Sequence, residues 1–403
     1  MIRVVQSCIG RFHHFHLARE LHRRGALACI FTGYPWFRLA GEGLPREKVR
    51  TFPWLRGFRM GCGRVGLTSP SFIRELEQWS LSAHDRFTWR NLPPCDAFVG
   101  LSGMAGATGR KAQAQGALYV CDRGSTHIRF QSRIMAEEAA RWGLGPKFGE
   151  RVDPRTVERE EDEYQTADYI TVPSEFTRRS FILEGVPAEK VIKIAYGADI
   201  GRFRPMADPS ADSFDVLFVG GVSLRKGALD LIDAFNQLPV RRKRLTFIGK
   251  VSPVVVPLLR TRRLEQVTFL GPAAHGDLAP FYSRAHVLAL PSLEEGLAMV
   301  MGEAMACGCP VVATENSGAE DLFEHNREGF IIGARQVGAL AQKLQQLSDD
   351  RELRARMSAA ALARTKAIGG WSNYGGNYFS FLHQQVDRRR GAAAASAQPG
   401  SRA

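Results

Sequence analysis

The chain has no uninterrupted apolar run near the ~18 residues needed to cross a bilayer. Its best candidate, VSPVVVPLL, is broken by Pro253 and Pro257. The first residues, MIRVVQSCIGRF, lack the charged head, apolar stretch and cleavage site of a secretory leader. They suit a strand running into a loop, and a cytoplasmic protein is expected. Cysteine is sparse and unpaired in spacing: Cys8, Cys29, Cys62, Cys95, Cys121, Cys307 and Cys309 form no C-x-x-C, which favours reduced packing thiols. Cys307 and Cys309 meet no second Cys or His pair at zinc-site spacing, so no metal is expected. Homeodomain, zinc-finger and RNP patterns are also missing, and nucleic acid is not an expected partner.

What is present is a 403-residue chain with a 44% hydrophobic fraction, too long for one ordinary core and suited to two domains. Strand-like and helix-like segments alternate. IRVVQ (2–6), FHLARELHRRG and LACIFTG make one βαβ unit, whose short loops imply a parallel sheet. The rhythm continues through DAFVGLS, GALYVCD, a charged helix at 154–166, DYITVPS, a helix at 175–184 and KVIKIAYG. A polar stretch at 199–213, with Pro205 and Pro209, reads as a linker. Beyond it the alternation restarts: FDVLFVGG, helix 227–238, RLTFIG, helix 254–263, VTFLG, helix 277–285, AHVLALPS, helix 299–307 and PVVAT. Helices are expected near 335–365 and 371–387, and residues 388–403, without large apolar side chains, as a disordered tail.

Net charge is +13, and residues 1–150 hold 22 Lys+Arg against 11 Asp+Glu. Such a surface favours an anionic partner. Within it, residues 34–70 interleave Trp36, Phe37, Phe52, Trp54 and Phe58 with Arg38, Arg50, Arg56 and Arg59. Rings at headgroup level and guanidinium groups on lipid phosphate would suit peripheral contact with an anionic membrane at its inner face; a core-packed excursion is the alternative.

Two strings carry chemistry. In ALPSLEEGLAMVMGEAMACG the loop after a strand leads into a helix, so it lies where open α/β sheets bind ligands. Gly296 permits close backbone approach, and the amides of Leu297 and Ala298 open a helix whose positive end attracts phosphate. Glu303, about a turn into that helix, is placed to accept from ribose hydroxyls, and Glu295 from hydroxyls of a sugar. In FVGGVSLRKGALDL the spacing of Gly220, Gly221 and Gly227 fits neither G-x-G-x-x-G nor the P-loop. It offers instead Arg225 and Lys226, a forked guanidinium and a point-charge ammonium suited to a diphosphate.

These strings, with VTFLG, SGAEDL, EGFII, VPSEFTRRSF, YGADIGRFRP and WSNYGGNY in order, resemble retaining GT-B glycosyltransferases of the family 4 type over nearly the whole chain. The resemblance implies an α/β fold of two Rossmann-like doubly wound parallel-sheet domains facing a central cleft. Residues 1–200 would bind acceptor and 201–370 the nucleotide-sugar donor, with the helix at 371–387 crossing back to the first domain. It implies that Arg225 and Lys226 hold the donor diphosphate, Glu303 the ribose and Glu295 the transferred sugar, with Leu270 near the base and Gly221 and Gly10 at the phosphate-facing turns. SCIGRFHH replaces the family's usual glycine pair with Ile9 and Gly10. His127, past the strand end in CDRGSTH, is placed as a catalytic histidine near the donor sugar, and His13 and His14 are second candidates on the acceptor side.

The expected reaction moves a sugar from a UDP- or GDP-sugar to a glycan or lipid-linked acceptor, without cofactor or metal. No second carboxylate from the first domain supports a double displacement, so front-face displacement fits better. Rival readings are a nucleotide-sugar epimerase or phosphorylase on the same scaffold, or a non-catalytic nucleotide-sugar or nucleic-acid binding module.

Overall fold

The structure, a computed structural model, describes residues 1–11, 13–54, 58, 69–145, 151–197, 199 and 201–396. Arg56, Arg59 and Cys62 lie outside the described residues. The first sheet has the order β3-β2-β1-β4-β5-β6-β7. Its strands are β1 (Val4–Cys8), β2 (Leu27–Thr32), β3 (Val49–Thr51), β4 (Ala97–Leu101), β5 (Leu118–Asp122), β6 (Tyr169–Val172) and β7 (Val191–Lys193). The second has the order β10-β9-β8-β11-β12-β13. It comprises β8 (Phe214–Val219), β9 (Lys243–Ile248), β10 (Val267–Phe269), β11 (Val287–Leu290), β12 (Val311–Thr314) and β13 (Gly329–Ile332). Both sheets are parallel throughout their pairings.

Parallel strands covered by helices on both faces carry apolar residues at successive positions, and β1 and β5 are buried at every residue. The first helix, His14–Arg23, buries Phe15, Leu17, Ala18 and Leu21 at helical spacing. One core continues from the first sheet, including Val4, Val99 and Val120, into the second domain, including Phe218, Leu288 and Val312. A second core on the other face of the first sheet gathers Phe31, Phe98, Tyr119 and Ile170. In each sheet the chain order reverses beside the first strand, between β1 and β4 and between β8 and β11. Such a switch point opens a crevice at the carboxyl ends of the strands.

Several boundaries differ from expectation. The helix expected at 254–263 is one turn, Val256–Leu259, with Pro257 in its first turn, where the missing N–H costs nothing. The segment 335–365 is two helices, Val337–Asp349 and Arg351–Ile368, parted at Asp350, whose side chain accepts from Leu353 N at 2.8 Å and caps the second. The last helix runs Trp371–Ser396. Residues 388–396 are therefore helical and not a disordered tail, as their alanine-rich composition permits; residues 397–403 lie outside the described residues. This helix lies against the first domain: Tyr169 Oη donates to Gln385 at 2.9 Å, and Arg389 and Arg390 pair with Asp168 and Asp96 at 3.0 and 2.7 Å.

Residues 34–54 are divided between core and surface. Leu39, Leu44 and Val49 enter the core, while Phe37 and Trp54 stand exposed. Among the described residues no helix is long and apolar enough to cross a membrane.

Candidate active site

The loop after β11 and the turn after β8 come from adjacent strands, and their charged residues meet. Lys226 Nζ pairs with Glu295 Oε1, and an Arg225 guanidinium nitrogen lies 4.0 Å from Glu295 Oε2. Arg225 Nε also donates to Glu294 at 2.7 Å. Glu294 was not among the residues expected here, yet it is fully buried and is the centre of the arrangement. Its Oε1 accepts from Ser125 Oγ, Thr126 N and Thr126 Oγ1 at 2.6, 2.9 and 2.7 Å. Its Oε2 accepts from Gln131 Nε2 at 3.0 Å. Burial works to raise the Glu294 pKa, but Arg225 and the Ser125 and Thr126 bonds outweigh it and bring the carboxyl down to about 2. A second-domain carboxylate thus anchors the loop that follows β5 in the first domain.

Glycine geometry draws the two domains into the same contact. A Cβ on Gly296 would lie 2.0 Å from the Gly124 carbonyl oxygen and 3.0 Å from Pro173, so only glycine lets these loops touch. Gly221 needs no such allowance, since its nearest neighbour would be Lys250 O at 3.9 Å. The turn demands its glycine at Gly220, whose φ of 141° is closed to most side chains.

The remaining expected residues divide. Leu270 stands half exposed just beyond β10. Gly10, past β1, is buried, and its carbonyl accepts from Thr32 Oγ1 at 3.3 Å. Leu297 N donates to no described residue, but Ala298 N already donates to Ser317 O at 3.2 Å, which removes Ala298 as a phosphate donor. Glu303 lies apart from Arg225 with partners of its own: Tyr282 Oη at 2.8 Å and His275 Nε2 at 2.7 Å. Hydrogen bonding to Glu303 raises the His275 pKa. Tyr282 is buried and His275 nearly half exposed, so His275 is the partner an incoming hydroxyl can replace.

His127 takes a different place from the one expected. Its ring packs against Tyr164 and Phe181, each with centroids 5.0 Å away, and Nδ1 accepts from Arg129 N at 3.2 Å at the start of the Ile128–Arg141 helix. Burial, then Arg123, push it down to about 4, so it is neutral. These are the contacts of a capping, packing residue.

The histidine at the first domain's strand ends is His13. Its Nε2 lies 2.5 Å from Asp122 Oδ2, and His14 Nε2 lies 3.4 Å from the same atom. Asp122 Oδ1 accepts from Thr171 Oγ1 at 2.7 Å. Burial works to raise the Asp122 pKa, and His13, His14 and Thr171 overcome it and hold the carboxyl below its ordinary value. His14, driven by burial and then by His13, falls to about 3. Gly124 joins this group to the loop after β11: a Cβ there would lie 3.5 Å from the His13 ring, while the Gly124 carbonyl faces Gly296. The ligand atoms of His13, His14 and Asp122 lie within 4.8 Å of one another, a set able to hold an ion.

Residues 202–364 match the sequence model of the family described as "Glycosyl transferases group 1". Over this stretch the chain is similar to the group 1 glycosyl transferases. Arg225, Lys226, Glu294, Glu295 and Glu303 all fall inside the matched stretch. A D-inositol 3-phosphate glycosyltransferase from Pseudarthrobacter chlorophenolicus is 31% identical over 48% of this chain and 50% of its own length. A GDP-mannose-dependent alpha-(1-6)-phosphatidylinositol monomannoside mannosyltransferase from Mycobacterium tuberculosis is 30% identical over 53% and 61%. The chain thus spans only half to three fifths of the length of these curated relatives. Whole-chain similarity is seen in structure. A sucrose-phosphate synthase from Thermosynechococcus elongatus superposes with a TM-score of 0.69 over 96% of this chain and 100% of that one, at 18% identity. Anabaena HepE in complex with UDP and glucose gives 0.69 over 95% and 100%, also at 18%. The two-sheet architecture is therefore GT-B.

Proposed function

We propose that the chain transfers a glycosyl group from a nucleoside-diphosphate sugar to an acceptor hydroxyl, with retention and without a metal, in lipid-linked or envelope polysaccharide synthesis. One observation carries the reading: Arg225 and Lys226 from one turn meet Glu294 and Glu295 from the adjacent loop at the carboxyl ends of β8 and β11. A diphosphate is the ligand that suits this grouping. It replaces Glu295 at Lys226, and the released Glu295 carboxylate is then available to sugar hydroxyls. As the bond to the anomeric carbon breaks, charge grows on the leaving diphosphate, where fixed cations stabilise it best. The leaving phosphate oxygen takes the acceptor proton. Glu303 serves the ribose, and the acceptor enters from the side of His13, whose imidazole is held by Asp122. The group 1 match and the names of the relatives support the same reaction class.

A thermal-shift panel of UDP-, GDP- and ADP-sugars tests it, because a ligand bound at about 100 times its Kd stabilises the fold by about 2.7 kcal/mol. One nucleotide is expected to raise Tm, and Arg225→Ala to weaken its binding about tenfold or more, at 1.5–3 kcal/mol per charge-assisted hydrogen bond. No shift with any of the three would overturn the reading. A product assay separates transfer from epimerisation, and turnover unchanged by EDTA is expected; its loss would turn attention to His13, His14 and Asp122.

A further inference from the structure

Every exposed Phe or Trp among the described residues falls between residues 37 and 89. Exposed apolar residues elsewhere are scattered aliphatic ones, such as Ile182, Met206 and Val256, which are ordinary on a protein surface. The aromatic group is concentrated on one edge. Phe37 and Trp54, each 76% exposed, flank the segment that ends in the edge strand β3. The neighbouring helix, Pro70–Asn91, adds Phe72, Trp79 and Trp89 at 36%, 63% and 44% exposure. Phe52 stacks on Phe87 at 4.8 Å and Arg50 donates to Asn91 O at 2.6 Å, so helix and strand form one continuous edge.

The helix is not an ordinary solvated one. Its inward side buries Leu76, Ser80, His84 and Thr88. At 100° per residue, Phe72, Trp79, Arg86 and Arg90 share the outward side, over a helix of 22 residues or about 33 Å. Arg86 and Arg90 are exposed and form no ion pair among the described residues. Glu75 on this side pairs at 2.8 Å with Arg155, which also holds Asp153, and Lys111 lies 4.8 Å from the Trp89 ring centre. Large rings standing in water beside uncompensated guanidinium groups match a lipid headgroup layer, which solvates the ring at its boundary and supplies phosphate to the arginines. The excess of 22 Lys+Arg over 11 Asp+Glu in residues 1–150 adds the long-range attraction.

We propose that the outward side of the Pro70–Asn91 helix, with Phe37 and Trp54 at the adjoining sheet edge, is a docking surface for an anionic lipid bilayer. The helix lies in the interface plane and does not insert across it. Phe and Trp rings seat at headgroup depth, and Arg86 and Arg90 hold lipid phosphates. This surface belongs to the first domain, and its binding to lipid needs no nucleotide or acceptor, so it stands apart from the transferase reading.

The test is co-sedimentation of the full chain with vesicles of phosphatidylcholine alone and of phosphatidylcholine with one third phosphatidylglycerol. Binding to the anionic vesicles is expected at low salt, falling as salt rises. Trp79→Ser with Trp89→Ser should lower the vesicle affinity at least tenfold, and Arg86→Gln with Arg90→Gln by roughly thirtyfold, from the attraction of each basic residue to an anionic leaflet. Unchanged thermal unfolding, and an unchanged Tm response to nucleotide-sugar, would show that the variants fold and that the donor site is untouched. Failure to sediment with anionic vesicles at low salt would overturn the proposal, as would variants that bind as wild type or equal binding to neutral vesicles. Absence of any nucleotide-sugar response with vesicle binding intact would instead strike the transferase reading alone.

Discussion

Glu294 takes five hydrogen bonds, from Ser125, Thr126 twice, Gln131 and Arg225, and is completely shielded from water. Its folded pKa of about 2 lies below the unfolded value of 4.5, so the carboxylate's contribution to stability is complete above pH 4.5 and drains away as pH falls towards 2. At 1.36 kcal/mol per pKa unit the total is about 3 kcal/mol. Glu294→Gln is therefore expected to lose about 3 kcal/mol at pH 7, with the gap to wild type closing in acid; urea unfolding at pH 7, 4 and 3 measures it. Parallel profiles would show that the charge is not what holds the Ser125–Thr126 loop. Gly296→Ala presses a methyl group into the Gly124 carbonyl, 2.0 Å away. Lower Tm and at least a tenfold lower turnover are expected as the loops part, read by calorimetry and product formation. Arg225, Lys226 and Glu295 were legible because each belongs to a local string whose residue types already imply an anion or a hydroxyl. Glu294 was not, since its partners Ser125 and Thr126 are some 170 residues distant and nothing in LEEGL separates one acid from the next. The contacts of His127 were out of reach for the same reason: its distance from the strand end was readable, but not the direction of its ring.

At the scale of elements, the parallel strands and the βα rhythm were plain, because buried parallel strands are short apolar runs bounded by loops. Helix ends were less so. Asp350 divides the segment 335–365 by capping a new helix, and the alanine-rich end of the last helix continues the turn where composition alone indicated disorder. What that helix touches is a matter of tertiary placement. Tyr378 Oη lies 2.8 Å from Thr171 Oγ1, which in turn donates to Asp122 Oδ1. Gly375 fits against Glu20, where a Cβ would approach to 2.2 Å. The last helix therefore supports the Asp122 carboxylate that holds His13. Tyr378→Phe removes one buried hydrogen bond and keeps the ring packing. A loss of about 1 kcal/mol in denaturant unfolding is expected, with Thr171 still bonded to Asp122. A stability unchanged within error would mean that the hydroxyl pair contributes nothing to seating the helix.

For the molecule as a whole, the question is what holds the two sheets face to face. Ion pairs cross the contact beside the apolar core that the two domains share. Arg141 of the first domain forks onto Asp230 of the second at 2.9 and 2.8 Å, Arg335 reaches back to Glu138 at 2.9 Å, and Lys193 and Arg179 pair with Asp321 and Glu320. Arg262 also stacks on Trp142 at 4.7 Å. An interface of ion pairs exposed at one end is weakened by salt and separates more readily than an apolar one. Under the proposed function, that property suits a cleft that opens to exchange nucleotide and closes to exclude water. These pairs share no residue with the Glu294 cluster, so they can be removed without deleting any member of the Arg225 and Lys226 grouping. Arg141→Ala with Arg335→Ala is accordingly expected to raise the radius of gyration in small-angle scattering, with the increase reversed by saturating nucleotide-sugar, whose proposed site on the second domain adjoins the first-domain Ser125–Thr126 loop. Turnover should fall several-fold while the Tm response to nucleotide persists. A radius identical to wild type at both low and high salt would show that the apolar core shared by the domains, and not these pairs, sets the closed arrangement.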